Sequence, residues 1–189
     1  NEDRPIFSNT HNALNPYGEE GSELEDDYSL VGWGQDIDGD GELTYLEEYA
    51  SYEVGISSQP TIHVDDQGMV YIVWASLTET YDNGLKNYRH IWARSGANDG
   101  QFWGKFTDLT GDLIHIFDEC VFPCLSNTSD DYLYLNYQFD NEPGMHVRGD
   151  LHAATENKIN FMKVLKSDII SGVAEAPAIL SADVSQNQP

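Results

Sequence analysis

Residues Gln59–Trp74, QPTIHVDDQGMVYIVW, recur in altered form at Phe122–Tyr137, FPCLSNTSDDYLYLNY, without a gap. The offset is 63 positions, from Pro60 to Pro123. Ile62 then falls on Leu125, Val70 on Leu133, Tyr71 on Tyr134, Ile72 on Leu135 and Trp74 on Tyr137. Each copy is a short strand, a polar turn, and a second strand of β-branched and aromatic residues. The turns are Asp65-Asp66-Gln67-Gly68 and Ser129-Asp130-Asp131. A repeated β unit cannot bury both faces of its sheet alone, so it implies stacked or radial units.

The strands that follow extend the unit. Asn87–Arg94, NYRHIWAR, puts Tyr88, His90, Trp92 and Arg94 on one face and Arg89, Ile91 and Ala93 on the other. Asn157–Val164, NKINFMKV, is its counterpart in the second copy. Leu77–Lys86 and Gln138–Thr155 read as the polar loops that lead to these strands, and Asp112–Cys120 as the segment leading into the second copy. The expected fold class is all-β, with four-stranded antiparallel blades of a β-propeller. Two units cannot close a ring, since propellers need about four blades. The chain is therefore expected to be a partial propeller or a smaller sheet assembly.

Charge narrows the partners. Nine Lys+Arg stand against 33 Asp+Glu, a net charge of −24. Such a surface repels phosphate backbones and anionic lipid, so neither nucleic acid nor membrane insertion is expected. No apolar run approaches the roughly 20 residues that span a bilayer.

Residues 1–27 are acidic and turn-rich and read as an irregular arm. Tyr28–Gly34 reads as a strand ending in glycines. The β domain is expected over 28–170, and 171–189 reads as a linker. Within it, Asp36–Glu47, DIDGDGELTYLE, carries oxygen ligands at the spacing a Ca²⁺ loop requires. Asp36, Asp38 and Asp40 stand at positions one, three and five, with Gly41 at the sharp turn. Glu42 offers its carbonyl, Thr44 holds a water and Glu47 binds with both oxygens. These twelve residues resemble the loop of an EF-hand or a dockerin. Tyr28–Gly34 is a poor entering helix, and no second loop follows, so the ion is expected to staple a long connection. TYLEEYASYE, from Thr44, reads as a short exiting helix.

Cys120 and Cys124 are four apart with Pro123 between them. Two outcomes are open: a local disulfide, if Pro123 bends the strand enough, or two buried free thiols.

Ser95–Trp103, SGANDGQFW, resembles the Asp-box turn of sialidase-like β-propellers through Asn98, Gly100 and Trp103. Asn98 stands for the usual Asp, Phe102 for the Thr, and Ser95 is one residue early. In that family the box joins the two outer strands of a blade and does no catalysis. Ser185-Gln186-Asn187-Gln188-Pro189 resembles the opening of the C-terminal sorting domain of type IX secretion substrates of the Bacteroidetes. That resemblance implies a secreted or cell-surface address and passage through the type IX machinery.

A sialidase would need three arginines converging on a carboxylate, and a Tyr–Glu pair. The chain has Arg4, Arg89, Arg94 and Arg148, and no triad matches. Asp118/Glu119 and Asp130/Asp131 are expected to be solvated, and the six histidines satisfied or exposed. A ligand-binding rim is expected from Arg89, Trp92, His146 and Arg148, in reach of the loop from Asp140 to Asp150. The expected function is a non-catalytic recognition or assembly module with a protein or glycan partner at the cell surface. The alternatives are part of a sialidase-like glycoside hydrolase and a calcium-dependent structural module of a surface layer.

Overall fold

The computed structural model describes residues 57–97, 102–104, 106–144 and 154–170. The calcium loop 36–47, the segment 28–34, the expected exiting helix, the acidic arm and the linker lie outside the described residues, as do His146 and Arg148.

The described chain is all-β apart from one short helix. Sheet one holds β1 (Ser57–Val64), β2 (Val70–Asp82), β3 (Asn87–Ala97) and β4 (Phe102–Trp103) in sequence order, with β5 (Thr107–Asp108) also pairing β3. Sheet two is β6 (Glu119–Leu125), β7 (Tyr132–Asp140) and β8 (Lys158–Leu165). Every pairing is antiparallel. Helix α1 (Lys166–Ile170) follows β8 and packs on β3.

The repeat is visible in the backbone. Ile62 pairs with Ile72, and Leu125, at the same offset, pairs with Leu135. The register slips between Ser58 and Thr61 in the first hairpin and between Val121 and Cys124 in the second, again at equivalent positions. Gln59 (φ 58°) and Phe122 (φ 54°) take the left-handed conformation at the two slips. A bulge suits this place, because Pro60 and Pro123 have no N–H to give the ladder.

The two sheets pack head to tail. Tyr71, Val73 and Ala75 of β2, with Ile91 and Ala93 of β3, form a core with Leu133, Leu135 and Tyr137 of β7. The equivalents of Leu133, Leu135 and Tyr137 are Val70, Ile72 and Trp74, which point the other way on sheet one. One face of the first unit thus receives the opposite face of the second. Strands β1 and β6 run side by side in the same direction: the Phe122 N–H donates to Gln59 Oε1 (2.8 Å) and the Leu125 N–H to Thr61 Oγ1 (3.3 Å). Burying each of the large side chains in this core contributes about 1.5–3 kcal/mol.

On the other face of sheet one, Ile72, Trp74 and Trp92 cluster with Val70 and Phe106. The two faces of β3 therefore separate as period two requires, with Ile91 and Ala93 on one and Trp92 on the other. β3 and β4 join across the Asp-box-like segment, with Gly96 opposite Trp103 and Ala97 opposite Phe102; its centre, 98–101, is outside the described residues.

Three expectations are corrected. Leu77–Lys86 is not a polar loop: β2 runs to Asp82, and only Asn83–Lys86 turns. Its polar residues are used inside the sheet, where Thr78 Oγ1 accepts from Trp92 Nε1 (3.2 Å) and the Thr78 carbonyl from Asn87 Nδ2 (3.2 Å). The second loop likewise starts only after Asp140, where β7 ends. Cys120 and Cys124 are free thiols, the first buried and the second exposed. β6 runs on through the bulge at Phe122 and Pro123, and it leaves one thiol inside and the other at the surface, so the two do not meet.

Candidate functional site

The two repeated turns face one another across an open cleft of about 680 Å³, closed at its base by the start of α1. In the first turn, Asp65 Oδ1 accepts the N–H groups of Gln67 and Met69, both at 3.0 Å. Gly68, at φ 78°, closes that turn in the left-handed region. In the second, Asp130 Oδ1 accepts the Tyr132 N–H (2.9 Å) and Oδ2 the hydroxyl of Tyr134 (2.9 Å). Tyr71, the repeat equivalent of Tyr134, donates to Asp65 Oδ2 at 3.4 Å. An Asx-type cap with a tyrosine behind it is thus built twice.

The cleft floor is charged and paired. Lys166 Nζ lies 2.9 Å from Asp65 Oδ2, with both side chains largely buried. Burial by itself raises the Asp65 carboxyl, but Lys166 and the two turn N–H groups outweigh it and hold the group below its ordinary value. The exposed Asp130 is also held low, first by the Tyr132 N–H and then by the Tyr134 hydroxyl. Burial and the nearby Asp65 charge push the Tyr71 phenol up. His63 Nε2 meets Ser129 Oγ at 2.7 Å and ties β1 to the second turn. The exposed Asp66, Asp130 and Asp131 leave the mouth acidic.

This arrangement can hold a polar or cationic group by hydrogen bonds and charge. It places one ring nitrogen beside a hydroxyl, His63 Nε2 and Ser129 Oγ. Among the described residues, no group of three or more His, Cys, Asp or Glu side chains is placed to hold a metal ion. None of the described helices is long and apolar enough to cross a membrane.

The expected rim is not assembled among the described residues. Arg89 is 1 % exposed; its backbone N–H donates to Glu119 Oε2 (2.6 Å), and its Nε is 3.8 Å from Glu119 Oε1. Trp92 is buried and bonded to Thr78. Both serve the interior, and neither presents its side chain to a ligand. Arg94 is also enclosed, with Nε donating to the Gly104 carbonyl (2.8 Å) and its guanidinium 4.8 Å from the centre of the Phe106 ring.

Of the paired carboxylates, Asp130 and Asp131 are exposed as expected, whereas Glu119 is buried against Arg89. The strand pattern gives no sign of this, because Glu119 opens β6 at the end of the segment that leads into the second copy. The histidines described are engaged. His90 Nδ1 lies 2.6 Å from Asp108 Oδ2 and its Nε2 3.2 Å from the Ile116 carbonyl. His115 bridges Asp118 (Nδ1, 2.9 Å) and the Tyr137 hydroxyl (Nε2, 3.2 Å), and Asn160 Nδ2 donates to that hydroxyl at 2.6 Å. Burial pushes the Tyr137 phenol up to about 12, so it stays protonated.

The cleft residues escaped the sequence reading because turns rich in Asp and Ser look like ordinary solvated connections. The signal was present in the repeat itself, which places both turns at the same end of their hairpins. Comparison with protein-family models, with curated proteins and with solved structures returned no match.

Proposed function

We propose that this chain is a non-catalytic recognition and assembly module, built of propeller-like β units and working outside the cell or on its surface. The observation that carries the reading is the head-to-tail packing of equivalent sheets, with β1 and β6 adjacent and codirectional. Units repeated about an axis pack this way, whereas two halves of a sandwich related by a two-fold present the same face to each other. The order β1-β2-β3-β4 from the shared edge outward is that of a blade. The recognition half rests on the cleft between the repeated turns, where Asp66, Asp130, Asp131 and the hydroxyls of Thr128 and Ser129 line the mouth. Its acid favours a basic or hydroxyl-rich group on a surface protein or glycan.

Export by the type IX route and stapling by Ca²⁺ at Asp36, Asp38, Asp40, Glu42, Thr44 and Glu47 belong to the same proposal, on the sequence motifs alone. The hydrolase reading loses support because Arg89 and Arg94, two of four arginines, are enclosed and engaged.

Two measurements test the reading. The full chain is incubated with a fluorogenic sialoside, and turnover that follows the protein through purification would return the hydrolase. Isothermal titration with Ca²⁺ should show one site that is lost in Asp38→Ala with Glu47→Gln; an unchanged melting midpoint in chelator removes the staple.

A further inference from the structure

The same offset that relates the two units also relates their exposed surfaces, and one of them is left open. On sheet one, Gln59, Thr61, Tyr71, Val73, Ala75, Ile91 and Ala93 face the second unit. Their equivalents on sheet two are Phe122, Cys124, Tyr134, Asn136 and Gln138, with Ile159 and Phe161 of β8 at the positions of Ile91 and Ala93. The register supports the last step, since Ala75 pairs with Ile91 and Gln138 with Ile159, and Val73 with Ala93 and Asn136 with Phe161. The first set is at least partly buried throughout. In the second, Ile159 is 73 % exposed, Phe161 62 % and Phe122 47 %, and Cys124 and Asn136 are exposed as well. Tyr134 stacks on Phe161 at 6.1 Å between ring centres, so the aromatic surface is contiguous.

We infer that this face of sheet two is the seat of a third unit of the same repeat, which lays its Leu133/Leu135/Tyr137-type face on it. The inference rests on the head-to-tail reading above and adds to it the surface and the partner. The established contact supplies the rule: the Tyr71 face receives the Leu133 face. A unit obeying that rule has one open socket at the end of the row, and the exposed aromatics stand there. The side-chain pattern matches a socket. It carries Phe161, Ile159, Tyr134 and Phe122, one cation, Lys163, held over the Tyr132 ring at 3.7 Å, and at its edge one carboxylate, Asp130, which already accepts the Tyr134 hydroxyl. Gln138 is bonded to Asn157 at 2.5 Å, so Asn136 is the side chain that the incoming sheet must meet with a hydrogen-bonding group.

A second copy of this chain is the poorer occupant. Its matching face on sheet one is closed, with Trp74 and Ile72 buried beneath Phe106. Two molecules at −24 also repel.

Cys124 lies on the socket and reports on its cover. The probe is the full chain carrying a duplicate of residues 104–170 after Ile170, with both cysteines of the duplicate changed to serine. The rate of Cys124 labelling by a maleimide is compared with that in the parent chain. A third unit that docks should slow it about tenfold or more. Phe161→Lys in the original sheet should restore the parent rate. Labelling as fast as in the parent, with the added unit shown folded by a proportionate gain in β-sheet circular dichroism, overturns the inference. So does a parent chain that sediments as a dimer with Cys124 already protected, because a second copy is then the occupant. Independently, Ile159→Lys in the parent chain should leave its melting temperature in place; a clear fall means that the face is already in use within the chain. The stability of Leu125→Ala, which sits in the existing contact, tests the underlying packing order separately.

Discussion

Ile62 and Leu125 are the same position of the repeat, in the same register, and ought to cost very different amounts when truncated. In a side-by-side arrangement with a common two-fold, the two would share one environment. In the head-to-tail order they do not: Leu125 packs against the core between the sheets, while Ile62 is 62 % exposed, and among the described residues no sheet lies beyond β1 on that face. Complete burial of a leucine makes Leu→Ala cost about 2–5 kcal/mol, so partial burial puts Leu125→Ala at about 1–2 kcal/mol. Ile62→Ala is a surface change and should stay within about 0.5 kcal/mol. At roughly 2–4 °C per kcal/mol for a chain of this size, Leu125→Ala lowers the melting temperature by about 2–8 °C and Ile62→Ala by less than about 2 °C. Leu135→Ala, fully buried in the same core, marks the upper limit. Thermal unfolding by circular dichroism of the three variants reads the order directly. An Ile62→Ala variant that loses as much as Leu125→Ala would refute the asymmetry, and with it the head-to-tail order.

Glu119→Ala should destabilise the fold by about 3–5 kcal/mol, read by urea unfolding, because it removes the buried carboxylate that meets Arg89 across the sheets. The Asp65 carboxyl is held below its ordinary 3.8, so its contribution is complete above that value and is lost as pH falls through the lower, folded value. In Lys166→Met the burial of Asp65 is no longer offset by the ammonium and its folded value moves up, so the variant should melt below the parent near about pH 5, and the part of the fall between about pH 5 and about pH 2 that Asp65 causes should shrink. Thiol titration of the native chain should find one fast cysteine, Cys124, and a second only after unfolding; two slow thiols that yield to reductant would mean a bridge.

The hairpins were legible because their information is local. Alternation, two equivalent prolines and a polar turn repeat at one offset, and the register follows. The same locality explains what was missed. Leu77-Thr78-Glu79-Thr80 reads as a loop because its polar residues look destined for water. Thr78 is instead consumed by Trp92 and Asn87, fourteen and nine residues away. Glu119 was read as solvated for a like reason, since its partner is thirty residues upstream. The left-handed Gln59 and Phe122 have no signature in residue type, and only their common offset marks them. The cleft is legible once the hairpins are placed side by side, but not before.

The unequal fate of equivalent residues is the more general point. Val73 and Ala75 became Asn136 and Gln138 at one face, while Val70 and Ile72 became Leu133 and Leu135 at the other. The apolar character survived where the second unit is covered by the first, and weakened where the described structure leaves it bare. Yet the bare face did not turn wholly polar. Phe161 and Ile159 stand where Ala93 and Ile91 stand in unit one, and Phe161 is larger than its counterpart. A face kept only for solvent gains nothing from a phenylalanine beside an isoleucine, and an exposed apolar sheet face invites aggregation. Retention of these two beside Asn136 fits a contact of mixed character, in which a hydrogen bond at the centre sets the register and the aromatic edge supplies the area. The perturbation that separates this from chance is Asn136→Val, the residue of unit one. If the seat is built for a partner with a matching polar group, the substitution weakens docking of that partner although it makes the face more apolar. If docking strengthens instead, the contact is set by apolar area alone and Asn136 plays no part in its register.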